Sequence, residues 1–361
     1  MKRYSLMSMD GWLRRAGVML LVSVIGPAAA HAQTSAAPCT PKAQQSGPVT
    51  QGRSLQGRSL QGRSLQGRSL QGRSLQGTSL QGAEPAVATV KQVLMKGAPV
   101  QNLQLRGTVL VGSLNGKEIS GTDFIGATLI QEDVDGSQFQ ATISKVQIDP
   151  QDASCEVMLY TLTTTNPTTG AAEDLCDADP FSQSWATPVY GSWDITGAHI
   201  PSTTKFMFAC TSGVIAKCIR WGYRPWKTVN GRSLMDYHQT CTRMARADYC
   251  GDGVSHTEDG TLIDMYDNLK IQKKSPIDLK KPLLFDAAWT PRGAYCVTKD
   301  RWLNLSRLES MAVCKAKFTQ ILPLVESSPI DLLDVCLVKR GDLSRKDVLM
   351  DNQSGINIKL K

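Results

Sequence analysis

The hydrophobic and polar residues alternate most regularly over residues 137–165, a segment that is rich in Val, Ile, Thr and Tyr. A period of two places every second side chain on one face, which is typical of a strand with one buried face. The sequence DPQD at 149–152 interrupts the alternation near its middle, so we predict two strands joined by a turn. Short apolar runs at 204–210 and 283–289 predict two further strands.

Two other segments have the spacing of amphipathic helices. The first runs over 234–249, with Ser233 as its N-cap and Asp236 placed to complete a capping box. Its buried face is predicted to contain Leu234, Tyr237, His238, Cys241, Met244 and Ala245. The second runs over 306–322 and ends before Pro323, which cannot continue a helix. The whole pattern predicts an α+β fold that is mainly β, with two or three helices in a disulfide-stabilised globular body.

A different period occupies residues 51–82, where QGRSL recurs and leucine returns every five residues. A period of five fits neither the 3.6 of a helix nor the 2 of a strand. The stretch resembles pentapeptide-repeat solenoids in its Leu and Gly positions, but a position that points inward in such a coil holds an arginine. These arginines are Arg53, Arg58, Arg63, Arg68 and Arg73. Because burying unpaired guanidiniums is costly, we favour a low-complexity tether, with a distorted or partner-stabilised coil as the alternative.

A second period of five follows this repeat. Its apolar residues are Val109, Leu114, Ile119, Phe124 and Leu129. The position two residues before each of them is mostly small, so a solenoid-like coil fits this segment. A β-meander with glycine turns fits it equally, since the pair Asn115-Gly116 favours a tight turn. Both interpretations place the β-rich start of the folded body here.

Residues 1–32 combine basic residues, an apolar run and a small-x-small sequence, which is the order of a secretory signal peptide. The run is shorter than the roughly 20 residues that span a bilayer. We expect cleavage before Gln33, a secreted or periplasmic protein, and no membrane span after cleavage. The expected organisation is a signal peptide (1–32), a low-complexity linker with the repeats (33–99), a globular domain (100–300) and a C-terminal helical extension (301–361).

The formal charge of +8 is concentrated before the globular part. Residues 1–32 hold four basic residues and one acid, and the repeat adds five arginines, so no net charge remains for the rest of the chain. Nothing therefore indicates specific binding of nucleic acid. The expected partner of the five repeat arginines is an anionic envelope surface.

The ten cysteines include no C-x-x-C pair, so the spacing indicates neither a zinc ribbon nor a thioredoxin-like redox site. In an exported protein an even number of cysteines favours disulfides. We predict no metal site and no cofactor. The disulfide candidates are Cys155, Cys176, Cys210, Cys218, Cys241, Cys250, Cys296, Cys314 and Cys336. Cys314 and Cys336 bracket an expected helical hairpin, after which residues 353–361 are expected to fray or to form an edge strand.

Four motifs stand out in the body: KCIRWGYRPW (217–226), CTRMARADYCGDG (241–253), GTLIDMYD (260–267) and FDAAWTPRGAYCV (285–297). Together they resemble the ADYC-domain family of bacterial exported proteins, named for the tetrapeptide at 247–250. The resemblance covers about residues 100–300. It implies no particular activity, so the candidate chemistry rests on the residues themselves.

Cys250 lies six residues before His256, and a thiolate beside an imidazole forms a cysteine nucleophile. The alternative for Cys250 is a disulfide. Asp252, His256, Asp259 and Asp264 lie close together in the sequence, either as an acid–base or Ca²⁺ group or as turn-forming residues. Asp252 and His256 are the catalytic candidates.

Three aromatic residues, Trp221, Tyr223 and Trp226, alternate with basic residues. They predict either an aromatic platform for a sugar or stacked base, or core packing with the cations reaching outward.

The leading functional hypothesis is an exported, non-enzymatic binding or structural domain on an Arg-rich tether. The alternative is a secreted hydrolase that uses the Cys250, Asp252 and His256 region.

Overall fold

The computed structural model describes residues 88–133, 136–166, 169–178, 183–253, 255–257, 262–275, 283–298, 301 and 347–355. The expected signal peptide, the QGRSL repeat, the expected helix over 306–322, and Cys39, Cys314 and Cys336 lie outside these residues. Within them the chain forms nineteen strands, two α-helices and one 3₁₀ turn. The prediction of a mainly β fold is thus confirmed, and two of the two or three predicted helices are present in number, although α1 is not at a predicted position.

The strands and helices follow the chain in one continuous series. They are β1 (Thr89–Met95), β2 (Ala98–Pro99), β3 (Gln101–Arg106), β4 (Val109–Leu114), β5 (Lys117–Ser120), the 3₁₀ turn (Gly121–Phe124), β6 (Thr128–Glu132), β7 (Gln138–Ile148), β8 (Met158–Thr165), β9 (Ala172–Asp174), β10 (Ala186–Tyr190), β11 (Ser192–Trp193), β12 (His199–Ile200), β13 (Phe206–Cys210), α1 (Val214–Arg220), β14 (Thr228–Val229), β15 (Arg232–Ser233), α2 (Leu234–Arg246), β16 (Ile263–Asp267), β17 (Leu283–Thr290), β18 (Gly293–Val297) and β19 (Met350–Gly355).

Eight strands form one antiparallel sheet in the order β13-β10-β8-β7-β6-β1-β2, with β9 beside β8. The two strands predicted within 137–165 are β7 and β8, and those predicted at 204–210 and 283–289 are β13 and β17. Because β1 also contacts β13, the sheet curls around a shared apolar interior. This interior includes Leu129, Ile143 and Phe208, all fully buried.

The segment with the second period of five forms a meander, not a solenoid. Strands β3, β4 and β5 pair as antiparallel neighbours, and the turn after β4 uses Asn115 and Gly116 at φ 51° and 77°, as a tight hairpin turn requires. This small sheet covers the interior of the large one. Two tyrosines, the buried Tyr160 and the half-buried Tyr190, fix it there. The Leu110 N–H donates to the Tyr160 hydroxyl and the Leu105 N–H to the Tyr190 hydroxyl, both at 2.9 Å.

The two helices pack against different sheets. Helix α1 packs with β8, β10 and β13 through Ile215 and Ile219, and α2 packs against the four-stranded sheet β16-β19-β17-β18. Two disulfides connect these parts. Cys218–Cys241 joins α1 to α2, and Cys176–Cys210 joins the segment after β9 to β13.

Helix α2 begins as predicted, because the Ser233 hydroxyl accepts the Met235 N–H at 3.2 Å. Its predicted end at residue 249 is wrong: the helix ends at Arg246, since Ala247 takes a left-handed conformation at φ 51° and caps it. Residues 248–250 are therefore turn and not helix. Apolar periodicity cannot detect this end, because Ala, Tyr and Cys continue the buried pattern.

The last described strand also departs from expectation. Residues 353–355 belong to β19, which lies between β16 and β17 and pairs antiparallel with both. The prediction that this region frays or forms a sheet edge is wrong for these residues. Neighbours far away in sequence, which no local pattern reports, make β19 an interior strand.

Candidate functional site

The tetrapeptide Ala247-Asp248-Tyr249-Cys250 forms the turn that closes α2. Ala247 is the left-handed C-cap. Asp248 is buried, pairs with Arg243 at 2.5 Å, and accepts the N–H groups of Asp252 and Gly253 at 3.1 Å each. Burial raises the pKa of Asp248 above its ordinary value, while the neighbouring arginine charges oppose this rise. The carboxylate thus fixes the glycine turn to the helix end.

Tyr249 points from this turn into the interior between α2 and the four-stranded sheet. Its ring stacks on Trp289 with a centroid distance of 5.2 Å and an interplanar angle of 22°. Its hydroxyl donates to the Asp286 carboxylate at 3.0 Å and accepts a hydrogen bond from the backbone N–H of Arg301 at 3.1 Å. Burial, and next the nearby Asp286 charge, raise the pKa of Tyr249 well above its ordinary value. Tyr249 therefore acts as a neutral hydrogen-bonding residue.

Asp286 is the centre of this buried arrangement. Its carboxylate pairs with the Arg301 guanidinium at 2.5 Å, and both side chains are fully buried. It also accepts the Asn352 amide at 2.8 Å, and the Asn352 oxygen accepts the Trp289 indole N–H at 2.7 Å. We call Tyr249, Asp286, Trp289, Arg301 and Asn352 the Asp286 network.

Arg301 extends the network to the end of α2, where it donates to the Met244 carbonyl at 2.7 Å. The last carbonyls of a helix have no partner within the helix, and a cation near them is favourable. A buried ion pair lowers the energy only when its other donors and acceptors are also satisfied. Here the amide, hydroxyl and carbonyl partners supply those bonds, so the network joins two of the motifs, CTRMARADYCGDG and FDAAWTPRGAYCV, to Arg301 and Asn352.

Two motifs also meet backbone to backbone. The Ala294 N–H donates to the Tyr249 carbonyl at 3.0 Å. A Cβ on Gly251 would lie 1.8 Å from the Arg292 carbonyl oxygen, and both Gly251 and Gly293 have positive φ. Only glycine permits this approach. The close packing of these two turns therefore requires glycine at positions 251 and 293.

Each candidate catalytic residue has a structural contact in this fold. Cys250 is held in a disulfide, which removes the thiol that a nucleophile requires. The His256 ring nitrogen Nδ1 lies 3.1 Å from the Ala247 carbonyl oxygen, and its ring is 5.8 Å from that of Tyr249. Asp252 contributes its N–H to Asp248. These contacts support the turn that the sequence also favoured.

Of the other acids of this group, Asp264 has its partner elsewhere. Asp264 binds the Ser275 hydroxyl at 2.6 Å and the Ser275 N–H at 3.1 Å, and Asp259 lies outside the described residues. Within the described ranges, no three His, Cys, Asp or Glu side chains are placed to share a metal ion.

The three aromatic candidates differ in how deeply they are buried. Tyr223 is fully buried and donates to Asp267 at 3.0 Å, so it cannot contact a ligand on the surface. Trp221 and Trp226 are half-buried, and both pack against the apolar cluster around α1. A Cβ on Gly107 would lie 3.3 Å from the Trp226 ring, which shows that the indole edge rests on the β3–β4 turn.

The basic residues between these aromatics pair with the segment 149–156. Arg220 binds Asp149 at 2.6 Å, and Arg224 binds Asp152 at 2.6 Å. Lys227 and Arg224 both contact Glu156. Burial alone would raise the pKa of Asp152, but hydrogen bonds from Ser154 and Val157 and the charge of Arg224 lower it overall. The cations therefore connect two parts of the fold, which the sequence did not predict.

One further buried ionisable group lies between α1 and α2. The His238 ring is fully buried, its Nε2 lies 2.9 Å from the Ile215 carbonyl oxygen, and its centroid is 5.6 Å from that of Trp193. Its Nδ1 has no hydrogen-bond partner in the described structure. Burial lowers the pKa of His238 to about 4, so the ring is neutral near neutral pH.

A pocket of about 210 Å³ lies where β16 ends and β19 begins. Its lining consists of Tyr266, Asp267, Asn268, Val348, Leu349, Met350 and Asp351. Both carboxylate oxygens of Asp267 already accept hydrogen bonds there, from the backbone N–H groups of Leu269, Ile271 and Gln272. Neither described helix has the length and apolarity needed to cross a membrane.

Comparison with known proteins agrees with the motifs. The sequence model of the ADYC domain matches residues 121–303, which is just over half of the 361-residue chain. This match contains all four motifs and the whole Asp286 network except Asn352. No curated protein and no solved structure shows significant similarity to the chain. The chain belongs to the ADYC domain family.

Proposed function

We propose that this ADYC domain is an exported, non-enzymatic binding domain of the bacterial envelope or its surroundings. The observation that carries the proposal is the state of the cysteines: all seven in the described ranges are disulfide-bonded. Disulfides persist in oxidising compartments and are rare in the cytosol. The absence of a transmembrane helix among the described residues is compatible with such a location.

Expression of the full chain in a Gram-negative host tests export. We expect processed protein outside the cytoplasm that begins at Gln33 and reacts with no thiol reagent after denaturation. Full-length cytoplasmic protein with reactive thiols would refute the export. A variant with the Ala30-His31-Ala32 sequence changed to bulky residues is the matched control, because it blocks cleavage and leaves the folded body intact.

The binding surface that we propose contains Trp221 and Trp226. Half-exposed aromatic rings favour flat polar ligands such as sugars, and the ion pairs of Arg220, Arg224 and Lys227 hold the segment that presents these rings. Tyr223 supports this surface from below and does not contact the ligand.

Co-sedimentation with purified peptidoglycan sacculi tests this surface. We expect Trp226→Ala to weaken binding, whereas Trp185→Ala, which changes a half-buried tryptophan of the same cluster outside the motifs, leaves it unchanged. Equal loss in both variants, or none in either, contradicts the role of Trp226. Circular dichroism of each variant separates loss of binding from loss of fold.

The second part of the proposal concerns the five arginines of the repeat. They give residues 51–82 a positive charge, which favours salt-sensitive attraction to anionic surfaces. Binding to vesicles with and without phosphatidylglycerol measures this attraction. A variant with all five arginines changed to glutamine is expected to lose both the binding and its salt dependence. Unchanged binding would assign the attraction to the folded body.

The alternative of a secreted hydrolase receives no support from the geometry, since Cys250 has no thiol available and Asp252 and His256 support the turn. Asp252→Asn and His256→Gln are expected to leave sacculus binding unchanged.

A further inference from the structure

Strand β19 completes a sheet that the rest of the domain cannot form alone. Residues 350–355 pair with β16 on one side, from Ile263 opposite Ser354 to Asp267 opposite Met350, and with β17 on the other. In the described sheet β16 pairs with β19 and with no other strand. Without β19, β16 would lose its attachment and β17 would expose one edge. Yet β19 lies outside the segment 121–303 that defines the family match.

The side chains of β19 fit the space between β16 and β17 specifically. Alternate residues Met350, Asn352 and Ser354 are buried, while the residues between them are half-exposed. Met350 packs in the apolar cluster of α2. Asn352 uses both ends of its amide, accepting from Trp289 and donating to Asp286. An empty space would leave the buried Trp289 indole N–H without its acceptor and remove one donor from the buried Asp286 carboxylate, which is unfavourable.

We infer that the channel between β16 and β17 is a strand-acceptor site, which takes residues 350–355 of its own chain and accepts the same segment from a second copy of this chain. Recognition rests on two backbone ladders and on side chains within the strand itself, as in binding by strand addition. None of these contacts depends on the covalent link to residue 301. The strand is therefore exchangeable in the way that domain-swapped elements are.

The length of the connection permits either source of the strand. Residues 302–346 can extend to at most about 150 Å, so the link does not dictate which copy supplies β19. The strand of the same chain is favoured at low protein concentration, because its covalent connection makes the pairing intramolecular and therefore independent of protein concentration. Exchange between copies is expected when the protein is concentrated or the link is cut.

The first experiment cuts the link in the oxidised, full-length protein. A protease recognition site inserted between Gly341 and Asp342 releases the fragment 342–361, which contains no cysteine and so has no disulfide to the body. We expect the cut fragment to co-elute with the body in gel filtration and to separate in denaturant. Loss of the fragment under native conditions, whether the body stays folded or unfolds, overturns the inference.

The second experiment measures exchange in the cut protein. A fluorescent peptide of residues 342–361 is expected to replace the native fragment at sub-denaturing urea, with a rise in anisotropy. The Asn352→Ala peptide is expected to bind at least about tenfold more weakly, since it leaves the Trp289 indole N–H without an acceptor and removes one donor from Asp286. The Gln353→Ala peptide is the matched control on the half-exposed face and keeps its affinity. Equal affinities, or no entry of any peptide, contradict the acceptor site.

The third experiment tests whether a second copy of the chain supplies the strand. Uncut protein is concentrated in sub-denaturing urea, returned to buffer and measured by light scattering. We expect dimers that persist on dilution for the parent and for Gln353→Ala, and fewer for Asn352→Ala. A monomer under all these conditions shows that the site accepts only its own chain and overturns the inference.

Discussion

Two interiors of the molecule are built from different kinds of side chain. The interior of the large sheet consists almost entirely of aliphatic and aromatic residues contributed by β1, β6, β7, β8 and β13. The interior between α2 and the four-stranded sheet also contains buried arginine, aspartate, histidine and asparagine. We call them the sheet core and the ADYC core.

The comparison shows that one chain uses two ways to specify its fold. Apolar burial is roughly proportional to area and has little directional preference. Hydrogen-bonded charges are directional, and each partner left alone in the interior is costly. The sheet core should therefore tolerate apolar replacements of similar volume, whereas the ADYC core should fail when one member of its network is removed.

The largest expected effect is at Asp286. Asp286→Ala leaves the Arg301 guanidinium buried without its carboxylate, and breaking a buried pair in this way costs about 3–5 kcal/mol. Urea unfolding of the oxidised protein measures the change in free energy. Val93→Ala in the sheet core is the comparison, with an expected cost of about 2 kcal/mol. A smaller loss at Asp286 than at Val93 would remove the distinction between the two cores.

The disulfides Cys218–Cys241 and Cys176–Cys210 sharpen the comparison, because the first lies in the ADYC core and the second in the sheet core. Cys218–Cys241 closes a loop with a sequence separation of 23 and Cys176–Cys210 one of 34. Loop-closure entropy predicts a cost of about 3 kcal/mol for removing either one. We expect the two alanine double variants to agree to within about 0.5 kcal/mol in urea unfolding. A clear difference would show that packing around the sulfur atoms matters more than loop length.

The pH dependence of stability tests the contact between α1 and α2, where His238 is buried outside both cores. Burial lowers the pKa of His238 to about 4, below the roughly 6.5 of an unfolded histidine. The unfolded chain therefore binds more protons between these values, so stability is lost as the pH falls from about 6.5 toward 4. The loss is on the order of 3 kcal/mol.

His238→Gln should flatten this part of the stability curve, because a neutral side chain has no proton to bind. His199, whose pKa burial also lowers, retains a smaller slope in that variant. An unaltered curve would show that the His238 ring is not neutral in the folded protein.

The smallest expected effect has the opposite sign. Gln131 is fully buried in the sheet core, and neither end of its amide has a hydrogen-bond partner in the described structure. Gln131→Leu removes this unsatisfied group at similar volume and should stabilise the protein by about 1 kcal/mol. Thermal unfolding measures the gain. Destabilisation would indicate that an ordered water satisfies the amide.

Strands β7 and β8 and the start of α2 were predictable, because the signals that define them lie within a few residues of one another. Alternation over 137–165 gives β7 and β8 directly, and Ser233 marks the start of α2. Helix α1 was missed because its seven residues are nearly all buried, and a short helix that is apolar on every side shows no periodic stripe.

The polar contacts were less predictable because their partners are remote. Asp286 stands in the apolar run LLFDAAW, and an acid at such a position signals a buried partner. Nothing in the sequence identifies that partner as Arg301 or Asn352. Likewise, Trp221, Tyr223 and Trp226 look alike in sequence, but only the fold buries Tyr223 and leaves the two tryptophans at the surface.

The sequence by itself determined the strands β7, β8, β13 and β17, the start of α2, the family and the content of cysteine. These follow from residues within a few positions of one another, where backbone geometry and side-chain spacing act directly. Tertiary structure alone decided which cysteines pair, which charges meet, and that β19 lies inside the sheet. These features join residues that are distant in the chain, and the free energy of each depends on what the folding of the other segments places beside it.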